Sequence, residues 1–261
     1  MRGEGRARPR LEAIEVAYAY RGRKTTEALD GVTLTAAPGE FIALLGPVGS
    51  GKTTFLRLVA GFLEPTRGTV LCDGVPVRGP GPERGYVFQE DAIFPWMTVR
   101  ENIEFGLRAR GLPRAEREAI AAELVALIGL RGYEHAYPKE LSAGMTKMVE
   151  VARVLATDPA VLLLDEPFGS LDAQTRWRMQ DALLGLWEQK RKTVLLVTHD
   201  ADEAVYLADR VAVFSPRPGR IVAEVAVPFE RPRPGAIRLS APFLELKRTI
   251  WAALGAGGAG A

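Results

Sequence analysis

The spacing of apolar residues changes period several times along the chain. Residues 11–45 alternate over short distances and break at turn signals: IEVAYAY, the tetrapeptide Ala-Leu-Asp-Gly at 28–31, then VTLTAAPGEFIALLG, which predicts a β-rich entry. From Lys52, KTTFLRLVAGF is apolar at helical spacing and sets Phe55, Leu58, Val59 and Phe62 on one side, so a loop here joins a strand to a helix.

From about residue 91 to 158 the pattern becomes helical. ENIEFGLRARG and AEREAIAAELVALIGL are amphipathic and strand-like runs are few, which predicts a helical subdomain inserted into the core. VLLLDEP at 161–167 and TVLLVTHD at 193–200 are continuous apolar runs of the kind that parallel sheets bury on both faces, with a helix over 172–190 between them. Strand, helix, strand means a parallel α/β core. RVAVFSPRPGRIVAEVAV predicts a hairpin turning at Pro216 to Gly219, and FLELKRTIWAAL a terminal helix followed by a Gly/Ala tail. Residues 11–240 therefore form one α/β domain with its helical insertion, and 241–261 a helix and flexible tail. No internal repeat is present.

Composition narrows the chemistry. At 261 residues, 47% hydrophobic and 25% charged, the chain can bury a large core. Its 34 Lys+Arg against 32 Asp+Glu leave +2, a balance with no overall field for nucleic acid. The single cysteine, Cys72, excludes an intramolecular disulfide and fits a reducing compartment. The basic opening MRGEGRARPR leads into no signal-peptide core and is expected to be a frayed tail, with contact to anionic lipid as the alternative. No apolar stretch reaches the roughly 18 residues that a bilayer span requires.

Gly46 to Thr53 (Gly46, Pro47, Val48, Gly49, Ser50, Gly51, Lys52, Thr53) have the spacing of a phosphate-cradling P-loop between a strand and a helix. Its glycines let backbone N–H groups close around phosphate oxygens, and the helix adds its positive end. Lys52 then reaches the β- and γ-phosphates of ATP, Thr53 gives a hydroxyl to Mg²⁺, and Thr54 lies on the α-phosphate side. Asp165 and Glu166 end the buried run at 161–165, where open α/β sheets place their ligands. Asp165 is suited to hold Mg²⁺, directly or through water, and Glu166 to orient and polarise the attacking water.

In this order the motifs make the chain similar to the nucleotide-binding subunits of ATP-binding cassette (ABC) transporters along nearly its whole length. The resemblance implies a Q-loop glutamine at Gln89, touching Mg²⁺ and the attacking water. It implies a signature motif at Leu141 to Met145, whose Ser142 and Gly144 meet the γ-phosphate held by an opposing subunit. It also implies a D-loop at Ser170, Leu171 and Asp172 and a switch histidine at His199; His135 is read as an ordinary loop residue. An aromatic residue upstream of the P-loop stacks on adenine, for which Tyr20 is the choice and Tyr18 the alternative.

The signature departs from the family at Ala143, where a glycine is usual, and at Thr146, Lys147 and Met148, where Gln and Arg are common. A positive φ at Ala143 would cost about 1 kcal/mol; otherwise the change is harmless, and the expectation is a competent site.

FPWMTVRENIEFGL, THDADEAVYLADRVAVFSPRPGRI and LSAPFLELKRTIWAAL resemble ATPases serving importers of nitrate, sulfonates and taurine. That resemblance implies a homodimer at the cytoplasmic face of the membrane, holding a permease through a surface from Asp91 to Val99 around Phe94 and Trp96. It serves a solute-binding protein only indirectly, has no nucleic-acid partner, and carries no long regulatory extension. The alternatives are a soluble non-transport ABC ATPase, which would typically carry paired cassettes or coiled-coil inserts, and a weakly active partner subunit of a heterodimer, against which the retained Glu166 and His199 argue.

Overall fold

A computed structural model describes residues 8–22 and 24–258. Ten strands and seven α-helices among them run β1 (Leu11–Tyr20), β2 (Thr26–Ala36), β3 (Phe41–Leu45), α1 (Lys52–Ala60), β4 (Arg67–Cys72), β5 (Val75–Pro76), β6 (Arg84–Val87), α2 (Val99–Ala109), α3 (Arg114–Leu127), α4 (Ala143–Ala156), β7 (Val161–Asp165), α5 (Ala173–Lys190), β8 (Thr193–Thr198), α6 (Ala201–Leu207), β9 (Arg210–Phe214), β10 (Ile221–Ala226) and α7 (Ala241–Gly258).

The six-stranded sheet has the order β10-β9-β3-β8-β7-β6, parallel from β9 to β6, with β10 added antiparallel at one edge. The strands β3, β7 and β8 are buried along their whole length because both faces are covered. Side chains alternate between two cores: Phe41, Ala43, Leu162, Leu164, Val194 and Leu196 enter one with helices α2 to α6, and Ile42, Leu44, Leu163, Leu195 and Val197 enter the other. The second core is closed by α1 and by a separate antiparallel sheet, β2-β1-β4-β5. Helices α2, α3 and α4 lie in the chain between β6 and β7, and α2 packs on both of the others. The fold is the expected α/β class, a P-loop NTPase core with an N-terminal antiparallel sheet and inserted helices.

Three local expectations change. Asp30 and Gly31 do not turn the chain: β2 runs through them, Gly31 takes φ 70°, and the pairing of β1 with β2 slips nearby, so the Asp-Gly signal marks an irregular strand. Phe62 does not continue the face of Phe55, Leu58 and Val59; Gly61 ends α1 at φ 80°, and Phe62 stacks instead against Phe88 at 6.0 Å. The terminal helix continues to Gly258, through most of the Gly/Ala tail. The rest of that tail (259–261) and most of the expected N-terminal tail (1–7) lie outside the described residues. Among the described residues no helix is long and apolar enough to cross a membrane.

Candidate functional site

The P-loop leaves the carboxyl end of central strand β3 and enters α1 at Lys52. Gly51, the residue before the helix, has φ 88°, and a Cβ there would lie 2.6 Å from the Ala28 carbonyl oxygen, so only glycine fits the turn. No side chain caps α1, which leaves its first N–H groups for an anion. Lys52 is buried and folds back on the loop: Nζ donates to the carbonyls of Gly46 (2.8 Å) and Pro47 (2.9 Å) and to Ser50 Oγ (3.2 Å). Burial lowers its pKa, and the nearby charges of Glu166 and Asp165 act in the opposite direction.

Tyr20, Val48, Gly49, Ser50, Gly51, Lys52, Thr53, Thr54, Gln89 and Glu166 line one cleft of about 370 Å³, joined by Ala28 and Arg217. A cleft of about 400 Å³ around Arg10, Gly39, Lys192 and Thr193 lies at the amino ends of the strands and holds no P-loop residue. The chemistry therefore belongs to the carboxyl edge. Tyr20 OH is 3.0 Å from Thr54 Oγ1, whereas Tyr18 touches the edge of Tyr20 at 4.9 Å and packs on the core. Of the two tyrosines, Tyr20 is the one in the cleft.

Asp165 and Glu166 are held differently. Asp165 is buried at the end of β7; its Oδ1 accepts from Thr53 (2.8 Å) and its Oδ2 from Tyr86 (2.7 Å). Glu166 takes φ 44°, a left-handed conformation costing an ordinary residue about 1–2 kcal/mol. It is held there by its N–H on the Val197 carbonyl (3.0 Å). Its Oε2 lies 3.3 Å from His199 Nδ1 just beyond β8. Hydroxyl, carboxylate and amide oxygens are the hard donors that Mg²⁺ takes; Thr53 and Gln89 bring two of them to the cleft, and Asp165 brings the third as the partner of Thr53. Among the described residues no group of three His, Cys, Asp or Glu side chains could hold a metal unaided.

Ser142 and Gly144 do not line this cleft. Ser142 caps α4, its Oγ accepting from Met145 N–H at 3.3 Å, which leaves the hydroxyl proton for an outside acceptor. Gly144 is packed so closely on α5 that a Cβ would lie 2.9 Å from Thr175 Cγ2. Ala143 is exposed in the first turn of α4 and is not among the positive-φ residues, so its Cβ meets no backbone penalty. Asp172 caps α5, accepting from Thr175 N–H at 3.0 Å. In the 91–99 segment Trp96 is 68% exposed and Phe94 packs between Trp96 and Phe105. His135 is exposed in a loop.

Sequence reasoning missed Tyr86, Arg217 and Glu203. Burial, and the bond to Asp165, push the Tyr86 phenol well above its ordinary range, so it stays a donor. Its position opposite β7 follows from a sheet register that no motif encodes. Arg217 reaches the cleft because its loop pairs with β2, Gly219 N–H donating to the Ala28 carbonyl at 2.9 Å. Glu203 lies behind the histidine: its Oε2 accepts from Thr198 Oγ1 at 2.6 Å, Thr198 accepts from Asp200 N–H, and among the described residues Glu203 Oε1 has no partner.

Burial pushes Glu203 up to about 8, with Asp200 and Glu166 adding to the effect and the Thr198 bond opposing it. The native chain then binds a proton that the unfolded chain, with a carboxyl near 4.5, has released. Stability should fall as pH rises between those values, by a few kcal/mol. Glu203→Gln removes this loss. Melting temperatures of the two proteins should agree near pH 5, and the variant should melt higher at pH 8; parallel curves would contradict the assignment.

Comparison with known proteins agrees with this geometry. The sequence pattern of the ABC transporter family matches residues 29–169. An uncharacterised ABC transporter ATP-binding protein of Methanocaldococcus jannaschii is 47% identical over 92% of this chain and 89% of its own length. A taurine import ATP-binding protein of Pseudomonas putida is 45% identical, covering 93% and 94%, and its counterpart in Burkholderia pseudomallei is 49% identical, covering 84% of each. A dimeric ATP-binding cassette solved with ADP and Pi superposes at a TM-score of 0.73, with 29% identity over 84% of this chain and all of that one. The chain belongs to the ABC transporter family, as one of its ATP-binding subunits.

Proposed function

We propose that this chain is the ATP-hydrolysing subunit of an importer for a small anionic solute of the taurine, sulfonate or nitrate type. It acts as a dimer on a separate permease at the cytoplasmic face of the membrane. The observation that carries the ATPase reading is the cleft in which Tyr20, the P-loop, Gln89 and Glu166 meet, with His199 3.3 Å from Glu166. The solute class rests on the relatives named for taurine import at 44–49% identity.

Lys52 exchanges the carbonyls of Gly46 and Pro47 for the β- and γ-phosphates, while the N–H groups of residues 48–53 close around their oxygens. Tyr20 stacks on adenine and Thr54 faces the α-phosphate. Thr53, Asp165 and Gln89 would hold Mg²⁺, which would neutralise charge on the transferring phosphoryl group. Glu166 takes a proton from the attacking water, whose oxygen bonds to the γ-phosphorus as the bridging oxygen leaves with ADP; His199 and Gln89 hold that water in line. Ser142 and the Gly144 N–H of a second copy complete the γ-phosphate site. Residues 91–99, with Trp96 outermost, meet the permease, and the inserted helices carry that surface.

The nearest competing reading, a weakly active partner subunit, turns on Ala143. Turnover of ATP with Mg²⁺ by the native chain and by Ala143→Gly should agree within about tenfold, because the helical φ at 143 makes glycine no better than alanine. A gain of a hundredfold would favour the partner reading.

A further inference from the structure

Three charged side chains of α4 serve none of the contacts above. Lys147, Glu150 and Arg153 follow one another at i, i+3 and i+6 on one face of the helix, and all reach the loop from 88 to 94 between β6 and α2. Lys147 and Glu150 are 2% and 1% exposed and pair at 2.9 Å. Lys147 Nζ also donates to the carbonyls of Phe88 (3.3 Å) and Gln89 (3.5 Å) and lies 3.1 Å from Asp91 Oδ1. Glu150 Oε1 accepts the N–H groups of Ala92 (2.5 Å) and Ile93 (3.1 Å). Arg153 donates to the Ala92 carbonyl at 2.9 Å and lies 4.8 Å over the ring of Phe94.

We infer that this triad is a clamp by which α4 positions Gln89. A buried ion pair is a poor source of stability, because desolvating two charges offsets most of their attraction; its usual worth is to fix one arrangement. Here the remaining bonding capacity of the pair is spent on one loop, on its main chain and on the Asp91 carboxylate. Among the described residues these main-chain groups have no sheet partner, and α4 satisfies them. Gln89 cannot slide along α4 without leaving a buried lysine and glutamate short of partners. The same helix begins at the capping Ser142, five residues before Lys147. The triad thus links, within one chain, the residue offered to a neighbour's phosphate and the glutamine offered to its own.

This inference rests on the proposed contact of Gln89 with Mg²⁺ and water, and the clamp residues are positioning residues. The test is steady-state ATP turnover by the full chain in three variants: Gln89→Ala, the double variant Lys147→Met/Glu150→Leu, and the two combined. Removing both charges together leaves neither half of the buried pair uncompensated, and Asp91, which loses its contact with Lys147, is exposed to water. The double variant should lose at least about tenfold in kcat with less than a twofold change in KM for ATP, and should add nothing further to Gln89→Ala, since both act through one contact. Should the double variant fail to fold, Glu150→Gln replaces it. It keeps an acceptor for the Ala92 and Ile93 N–H groups but loses the charge, and kcat should fall severalfold at unchanged KM. Native turnover in Gln89→Ala would remove the reading of Gln89 and the clamp with it. An impaired Gln89→Ala beside a native-like clamp variant, or additive losses, would overturn the clamp alone.

Discussion

Glu166→Gln should lower ATP turnover by about a hundredfold to ten-thousandfold while ATP still binds, as measured by phosphate release and by nucleotide binding at equilibrium. The amide keeps the size of the carboxylate and its reach toward His199, 3.3 Å away, but cannot accept the proton of the attacking water. Loss of a positioned base costs about 3 to 5 kcal/mol of transition-state stabilisation. The strained φ of Glu166 supports this role: the backbone conformation is costly, it is pinned by Val197, and it carries the side chain past the strand end. The rest of the cleft lining does not change and the amide keeps the shape of the carboxylate, so the KM for ATP should stay near its native value. Near-native hydrolysis in this variant would remove Glu166 from its role.

Lys52→Met should fail in a different way. Its ammonium is the buried cation of the phosphate cradle, and charge placed where the transferring group becomes more negative contributes more in a water-poor cleft than in solution. Turnover per unit of ATP, kcat/KM, should fall by about a hundredfold or more, with ATP affinity and kcat both reduced. The fold should survive. Desolvation already disfavours the charged lysine, the methionine side chain fills nearly the same volume, and the loop shape is set by Gly51 against Ala28. A variant that binds and hydrolyses ATP like the native chain would place the phosphates elsewhere. One that unfolds would mean that the bonds from Nζ to Gly46 and Pro47 hold the loop together.

The residues with roles in the cleft were legible in the sequence where their chemistry demands fixed spacing within one segment. The P-loop needs its glycines, lysine and threonine in a row, and Asp165 and Glu166 must follow a buried run, so pattern alone found them. His199 came instead from the resemblance to the family, and it lies 3.3 Å from Glu166 at the end of the next buried run. Tertiary register hid the others. Tyr86 matters because β6 lies beside β7, and Arg217 because its loop returns to β2. Lys147 and Glu150 matter because α4 lies under the loop of Gln89. Two local signals misled. Asp30-Gly31 has the composition of a turn, yet the edge of a sheet absorbs it as an irregularity; Phe62 keeps helical spacing, yet Gly61 has already ended the helix. Ala143 stood out only by comparison with a pattern. Its place in the first turn of α4, with helical dihedrals, shows why a methyl group is tolerated there.

The cleft of one chain contains Tyr20, the P-loop and Glu166 but neither Ser142 nor Gly144, so the account makes the γ-phosphate site the property of two copies. Mass in solution tests this most directly. Purified Glu166→Gln should run as a single chain of 28.4 kDa with ADP and at about twice that mass with ATP, and adding Ser142→Arg should abolish the shift. A chain that binds ATP and stays monomeric, or a dimer indifferent to nucleotide and to Ser142, would contradict the shared site.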